Sequence, residues 1–256
     1  MTGVPAGVLA GRTAVVTGAG KGFGHAIAAA FLDQGANVVL HHRSSAAGVD
    51  ELLAQAGTGA AQRAVAVRAD LREPGAGEDL AARAVEAFGT VDVLVNNAGS
   101  MAVGPFVDST EEQWAADLEL NVWAPLRLTR AVLPTMIAQR GGKVINIASQ
   151  LALRPWDRGA VYAGTKGFLL SWTKSLAAEV GRHGINVNAV GPGSIATDMN
   201  KDIFPDAEAE RAKAAELPLR RLGRPSDVAG VALFLASPAS DFMTGQLLGI
   251  NGGSQM

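Results

Sequence analysis

The 256-residue chain contains no cysteine, which excludes disulfide bonds, thiolate nucleophiles and thiolate metal sites. It has four histidines with no acidic cluster at ligand spacing around them, so we expect no dedicated metal centre. With 22 basic and 24 acidic side chains, the net charge of −2 provides no general attraction to nucleic acid or to an acidic membrane surface. No apolar run is long enough to span a bilayer, and residues 1–10 lack the pattern of a signal peptide. We therefore expect a cytoplasmic protein whose ligands are small molecules.

Aromatic residues are also scarce, at 5% of the chain, and Tyr162 is the single tyrosine. Lys166 follows it by four residues, so in a helix the two side chains would lie on one face. A neighbouring ammonium favours the phenolate and lowers the phenol pKa from its ordinary value of about 10. Ser149 stands upstream, directly after the apolar run 144–148. These side chains predict proton exchange with an alcohol or carbonyl substrate, although a Tyr-x-x-x-Lys pair also arises where a ring simply packs beneath a lysine.

A glycine-rich turn lies near the start of the chain. The β-branched run 13–17 breaks into Gly18-Ala19-Gly20-Lys21-Gly22-Phe23-Gly24, and a helical pattern follows. Glycine lets backbone N–H groups approach a pyrophosphate, and the helix N-terminus adds a partial positive charge. The spacing Gly-x-x-x-Gly-x-Gly differs from the commoner dinucleotide fingerprint, and a glycine turn can also serve only to join a strand to a helix. In this strand–turn–helix setting it predicts dinucleotide binding.

Strand-like and helix-like runs alternate along the chain, which predicts a parallel sheet covered by helices on both faces. The predicted strands are Thr13–Thr17, Asn37–His41, Ala64–Arg68, Val91–Asn96, Lys143–Ala148, Asn186–Val190 and Leu247–Ile250. The predicted helices are Gly22–Gln34, Ala46–Ala56, Gly77–Phe88, Glu111–Gln139, Ala160–Gly181 and Pro225–Ala236. We expect a single domain over residues 1–256, with one long connection, rich in charged residues and poor in large apolar ones, at residues 194–219.

Many short motifs in one order make the chain resemble the short-chain dehydrogenases/reductases, from about Gly11 to Gly253. They are Thr17–Gly24, Asp70-Leu71, Asn96-Asn97-Ala98-Gly99, Asn121, Ser149, Tyr162, Lys166, Pro192-Gly193, Arg221–Ala229, Thr244-Gly245-Gln246 and Asn251-Gly252-Gly253. The resemblance implies an α/β, doubly wound Rossmann fold with seven parallel strands in the order 3-2-1-4-5-6-7. It also implies an NAD(P)-dependent enzyme that forms a homotetramer, in which the long helices 111–139 and 160–181 pack against their twins.

The resemblance assigns catalytic roles to four residues. Tyr162 is the expected general acid in carbonyl reduction and the general base in alcohol oxidation. Lys166 is expected to lower the Tyr162 pKa and to bind the nicotinamide ribose. Ser149 is expected to hold the substrate oxygen, and Asn121 to hold a water that relays protons to Lys166.

The resemblance also implies that residues at the carboxyl ends of the strands bind the dinucleotide. They are Gly18, Lys21, Gly22, Phe23, Gly24, His42, Arg43, Asp70, Leu71, Asn97, Ala98, Gly99, Pro192, Gly193, Ile195 and Thr197, together with Tyr162 and Lys166. Asp70 is expected to meet the adenine, and Pro192-Gly193 to border the nicotinamide.

The end of the second strand bears on which dinucleotide is used. NAD-specific members of the family carry an acid there, whereas this chain has His42 followed by Arg43. Arg43 can grip a 2′-phosphate with its planar guanidinium, and Lys21 can add a second cation. We therefore expect NADP(H), with NAD(H) as the alternative if these two cations are ordinary surface charges.

The substrate is less constrained. Segment 194–219 matches the family's substrate loop, and the polar, bulky stretch 153–158 suggests that Arg154 or Trp156 lines the pocket, which would suit a polar or anionic substrate. Our first interpretation is an NADPH-dependent reductase of small or medium carbonyl compounds. The alternatives are a sugar or polyol dehydrogenase and a 3-oxoacyl-carrier-protein reductase. The carrier interpretation has Arg140 at one docking position but Ala178 at the other. A non-enzymatic dinucleotide sensor is disfavoured because all four catalytic residue types are present.

Overall fold

The computed structural model describes residues 7–201 and 203–255. The expectation that residues 1–10 are not a signal peptide falls partly on residues 1–6, which lie outside that range. The strands are β1 (Thr13–Val16), β2 (Asn37–His42), β3 (Ala64–Arg68), β4 (Val93–Asn96), β5 (Gly142–Ile147), β6 (Ile185–Pro192) and β7 (Leu247–Ile250). These seven strands form one sheet in the order β3-β2-β1-β4-β5-β6-β7, and every neighbouring pair is parallel. The predicted fold class and strand order are confirmed.

Helices cover both faces of the sheet, because alternate strand residues point into two separate cores. The helices are α1 (Gly22–Asp33), α2 (Ala46–Ala61, interrupted at Gly57), α3 (Ala76–Phe88), α4 (Glu111–Leu118), α5 (Ala124–Ala138), α6 (Ala160–Val180), α7 (Ala207–Glu216) and α8 (Pro225–Ala236). Val16 and Leu40 belong to the core shared with α1, α2 and α8, whereas Val15 and Val39 belong to the core shared with α3, α5 and α6. Within the described ranges, no helix is both long and apolar enough to cross a membrane.

The predicted helix 111–139 is not one regular helix. A π-helical turn, Glu119–Trp123, separates α4 from α5. Such a turn is a single wide turn with i→i+5 hydrogen bonds inside a longer helix, and the helical spacing on either side of it predicts one continuous helix. Asn121, one of the predicted catalytic residues, lies in this turn.

The segment 194–219 also differs from the prediction, because it contains a helix. Asp206 caps α7, accepting hydrogen bonds from the backbone N–H groups of Glu208 at 3.0 Å and Ala209 at 2.8 Å. None of the ten residues of α7 is buried, so the helix has no apolar face. The sequence therefore lacked the periodic signal by which an amphipathic helix is recognised.

His41 ties the glycine turn to the ends of β2 and β3. Its Nδ1 accepts a hydrogen bond from the Gly18 N–H at 3.2 Å, and its Nε2 lies 3.1 Å from the carbonyl oxygen of Ala69. Burial lowers the His41 pKa from 6.5 to about 4, although the bond to Ala69 opposes the shift. The ring is therefore neutral at pH 7, with one nitrogen accepting and the other donating. No sequence motif points to this residue.

The neutral His41 predicts a specific pH dependence of stability. Between pH 6.5 and 4 the unfolded chain takes up a proton at this residue and the folded chain does not. As the pH is lowered from 6.5 to 4, the free energy of unfolding should therefore decrease, by about 3 kcal/mol in all. The variant His41→Asn keeps an acceptor for Gly18 but has no group that titrates, so denaturant unfolding at several pH values should show a shallower loss.

The matched control is His183→Asn, which makes the same change at a partly exposed histidine. It should retain the slope of the unmodified chain. An unchanged slope in His41→Asn would show that His41 does not contribute to stability in this way.

Candidate active site

The four predicted catalytic side chains lie together at the carboxyl edge of the sheet. Ser149 follows β5, Tyr162 and Lys166 lie on α6, and Asn121 lies in the π turn. All four are buried. An ideal Cβ built on Gly99, just after β4, would lie 2.9 Å from Asn121 Oδ1 and 3.6 Å from Lys166 Nζ. The loop after β4 therefore packs directly against two of these side chains.

The protonation state of Tyr162 differs from the sequence-based expectation. Burial raises the Tyr162 pKa to about 12, and hydrogen bonding to Ser149 offsets only part of this shift. Lys166 Nζ lies 5.6 Å from the centre of the tyrosine ring and donates to the carbonyl oxygen of Ile147 at 2.9 Å. Burial also lowers the Lys166 pKa to about 8. The Tyr162 pKa therefore shifts upward, opposite to the lowering that Lys166 was expected to cause, because desolvation of the phenol dominates and Lys166 Nζ is bonded to the Ile147 carbonyl oxygen.

The consequence is a phenol that stays protonated at neutral pH. Such a group is suited to donate a proton to a substrate oxygen, and it accepts one only when the substrate or a rise in pH assists its ionisation.

The Asn121 amide connects the loop after β4 to α6. Its Nδ2 donates to the Ser100 carbonyl oxygen at 2.9 Å and to Thr165 Oγ1 at 3.2 Å, while its Oδ1 accepts from the Ser100 N–H at 2.9 Å. Thr165 in turn donates to the Tyr162 carbonyl oxygen at 2.7 Å. Asn121 thus holds the loop in register with the helix that carries Tyr162 and Lys166.

The glycine turn is closed by contacts with the loop after β4. Thr17 Oγ1 accepts from the backbone N–H groups of Asn97 and Ala98, both at 2.9 Å. Gly18 has a φ of 68°, and an added Cβ on Gly24 would lie 2.2 Å from the Gly18 carbonyl oxygen. Only glycine fits this close approach, so the turn presents bare backbone at the start of α1.

A cavity of about 280 Å³ runs from this turn to Tyr162 and Lys166. The predicted cofactor residues that line it are Gly18, Lys21, Gly22, Phe23, His42, Arg43, Asp70, Leu71, Asn97, Ala98, Gly99, Tyr162, Lys166 and Thr197. Two predicted residues line neither this cavity nor the next. Gly24 lies behind the turn, and the buried Ile195 forms a β-bridge with Gly223. Ser44 and Ser45 also line the cavity, although the sequence analysis did not select them.

These residues fit a dinucleotide. The exposed cations Lys21 and Arg43 line the cavity, and β2 ends in His42 rather than in an acid. His42 Nδ1 is buried and has no hydrogen-bond partner among the described residues. Asp70 follows β3, the strand beside β2, and hydrogen bonds from Arg72 lower the Asp70 pKa to about 2, with a further lowering by the Arg43 charge. The glycine turn can hold the pyrophosphate, and Arg43 and Lys21 can hold the ribose end.

A second cavity of about 410 Å³ adjoins the first at Tyr162 and also contains Ser149. Pro192 and Gly193 line this cavity rather than the first, as do Arg154 and Trp156. The hypothesis that Arg154 or Trp156 lines the pocket therefore agrees with the structure. One wall is α7, whose Lys213 Nζ lies 2.6 Å from Glu216 Oε2. Arg154 forms no ion pair within the part of the chain that the structure describes.

Arg140, the residue that supported docking of a carrier protein, lies elsewhere. It occupies the turn before β5, whereas Ser149 follows the other end of that strand. The two residues of one chain therefore lie at opposite edges of the sheet, and Arg140 does not border either cavity.

Comparison with known proteins extends over nearly the whole chain. Residues 18–255 match the family model for enoyl-(acyl carrier protein) reductases, a branch of the short-chain dehydrogenases. The chain is 40% identical to an L-rhamnose 1-dehydrogenase (NAD(P)(+)) of Azotobacter vinelandii, covering 96% of this chain and 97% of the relative. It is 36% identical to the 3-oxoacyl-[acyl-carrier-protein] reductase FabG of Vibrio cholerae, covering 97% and 99%.

A solved structure gives the same result. The gluconate 5-dehydrogenase of Burkholderia cenocepacia in complex with NADP and tartrate superimposes with a TM-score of 0.88 at 32% identity, covering 96% of this chain and 95% of that one. The chain therefore belongs to the short-chain dehydrogenase/reductase family, whose members are NAD(P)-dependent oxidoreductases acting on alcohol and carbonyl groups.

Proposed function

We propose that this enzyme uses NADP(H) to interconvert a carbonyl and an alcohol on a small, polar substrate, with Tyr162 as the proton donor in reduction. The observation that carries the proposal is that Tyr162 lines both cavities. A nicotinamide in the first cavity and a carbonyl group in the second would meet at its hydroxyl. The dinucleotide, when bound, supplies or accepts the hydride.

The side chains around Tyr162 then have separate tasks. Ser149 holds the substrate oxygen, and its backbone neighbour Leu151 fixes the hydroxyl by donating to it at 3.1 Å. Tyr162 gives its proton to that oxygen as the hydride arrives at the carbon. Lys166 binds the ribose and, with Asn121 and a relay water, restores the proton to Tyr162. These four roles are carried over from the family resemblance, and the burial of the four side chains supports them.

Replacement of Tyr162 tests the proposal. Tyr162→Phe removes the proton donor while keeping the ring, so the kcat of NADPH-dependent reduction should fall by about 100-fold or more. NADPH binding, followed by its fluorescence, should change little. Turnover is first sought with a panel of carbonyls and alcohols. Normal turnover in Tyr162→Phe, or failure of the unmodified protein to bind either dinucleotide, would contradict the proposal.

Preference for NADP(H) is supported by Arg43 and Lys21, which line the cavity where family members that use NAD carry an acid. Arg43→Ala should raise the KM for NADPH by about tenfold or more, since hydrogen bonds to charged groups contribute about 1.5–3 kcal/mol. The KM for NADH should hardly move, which makes NADH the internal control in the same steady-state assay. Equal changes for the two dinucleotides would show that Arg43 does not read the 2′-phosphate.

For the substrate, we propose a polyhydroxy acid, with Arg154 facing its carboxylate. Arg154 and Lys213 line the cavity of Ser149 and Tyr162 together with Glu216, whose pKa is lowered mainly by its hydrogen bond from Lys213 and further by the Arg154 charge. Arg154 forms no ion pair among the described residues, so its guanidinium supports recognition of an anion. One relative is named as a gluconate dehydrogenase, which acts on a sugar acid, and another as an L-rhamnose dehydrogenase, which acts on a neutral sugar. A neutral sugar or polyol is therefore the second candidate.

The two candidates differ in their dependence on Arg154. Arg154→Ala should raise the KM for a sugar acid by about tenfold or more, while a neutral sugar of the same length should change by less than about threefold. Arg158→Ala is the matched control, because this exposed arginine borders a different cavity. A parallel loss on both substrates would remove Arg154 from carboxylate recognition.

The homotetramer remains a prediction carried over from the family resemblance. The helices that would pack against their twins are α4 to α6. They expose large apolar side chains such as Trp123 and Phe168, as an interface between subunits requires.

A further inference from the structure

Asp117 is a buried carboxylate to which the proposed chemistry gives no task. It lies on α4, one helical turn before Asn121, and only 2% of its surface is exposed. Its Oδ1 accepts from the Ser100 hydroxyl at 2.6 Å, and its Oδ2 accepts from the Ala102 N–H at 3.1 Å. No basic side chain forms an ion pair with it in residues 7–201 and 203–255. A buried charge without a cationic partner is costly, so its position calls for an explanation.

The hydrogen bonds of Asp117 and Asn121 meet on one residue. The Ser100 hydroxyl donates a hydrogen bond to Asp117, while its backbone N–H and carbonyl group both bind the Asn121 amide. The loop after β4 is therefore held against the helix by two side chains one turn apart. If the carboxylate were removed, the Ser100 side chain would lose its acceptor and the loop that orients Asn121 would loosen.

The charge of Asp117 also acts on the Tyr162–Lys166 pair, since α4 packs against α6. Around that pair lie the Ile147 carbonyl at the end of β5, Gly99 in the loop after β4, and Asp117 and Asn121 in the α4–π-turn segment, while β6 and the turn 150–152 also pack against α6. Of these neighbours only Asp117 is charged. Its field raises the pKa of Tyr162, after the larger effect of burial, and it raises the pKa of Lys166 against the lowering by burial. Both effects favour the protonated forms.

We propose that Asp117 is a positioning residue of this active site, which holds Ser100, and through Ser100 the Asn121 amide, while its negative charge keeps the proton on the Tyr162–Lys166 pair. The proposal rests on the function given above, in which Tyr162 delivers that proton. It goes beyond the four residues of the family motif, since Asp117 touches neither cavity. In reduction the negative charge of Asp117 keeps the Tyr162 phenol protonated, ready to donate. In oxidation the same charge raises the pH at which the phenol can act as a base.

The variant Asp117→Asn separates the charge from the hydrogen bonds, because the amide oxygen can still accept from Ser100. The chain has one tyrosine, so the ultraviolet absorbance of tyrosinate reports on Tyr162 alone. In Asp117→Asn the tyrosinate signal should appear at a pH lower by about 0.5 unit or more. The alkaline limb of reductive kcat/KM should move down by a similar amount, because Lys166 loses its proton earlier. The KM for NADPH should stay within about threefold of the unmodified value, since the glycine turn is untouched.

Glu119→Gln is the matched control. Glu119 lies two residues from Asp117 and pairs with Arg127 at 2.9 Å, so its neutralisation should leave both midpoints in place. Circular dichroism at each pH confirms that the titration is that of folded protein. Asp117→Leu, which removes charge and hydrogen bonds together, should add a loss of kcat that Asp117→Asn lacks.

Unchanged midpoints in Asp117→Asn would overturn the electrostatic part of the proposal. A kcat in Asp117→Leu equal to that of Asp117→Asn would overturn the positioning part. The absorbance titration needs no turnover, so it separates this proposal from the function itself. A shifted tyrosinate signal in a protein that reduces no carbonyl would support the role of the charge and contradict only the proposed reaction.

Discussion

Parallel pairing of all seven strands brings their carboxyl ends to a single edge of the sheet. The turns after β1, β2, β4, β5 and β6 must therefore meet there, however far apart they lie in the chain. The glycine turn, His42, the loop of Gly99 and Ser149 all take their places from this constraint. Long helices on both faces exclude water from the sheet. The edge between them is a crevice in which polar groups are buried but still reach a ligand.

Burial at this edge decides the chemistry more than attraction between neighbouring charges does. Desolvation raises the pKa of Tyr162 and lowers that of Lys166, so the phenol keeps its proton and the amine holds its own weakly. Because the Tyr162 pKa is raised and the Lys166 pKa is lowered, the lysine ammonium can readily return a proton to the phenolate after Tyr162 has donated its own. His41 shows the same effect at the other end of the crevice, where burial keeps an imidazole neutral so that it can both accept and donate.

Charged side chains line both cavities, although the net charge of the chain is close to zero. Lys21 and Arg43 face the first cavity and Arg154 and Lys213 the second, while Asp117 lies behind the reacting groups. The first cavity also contains Asp70 and Asp198 and the second Glu216, so each is lined by charges of both signs. Such local arrangement is invisible in the composition and becomes evident only when the strands are assembled.

The sequence by itself determined the alternation of strands and helices, the glycine turn and the Ser149, Tyr162 and Lys166 set, because these depend on local periodicity and on residue types at short spacing. The tertiary structure alone decided the rest. It placed Asn121 in a π turn, formed α7 without an apolar face, and brought His41 to Gly18 and Asp117 to Ser100. It also reversed the expected shift of the Tyr162 pKa. The reason is that burial and long-range hydrogen bonds depend on which distant segments pack together, and spacing along the chain carries no measure of the water that such packing removes.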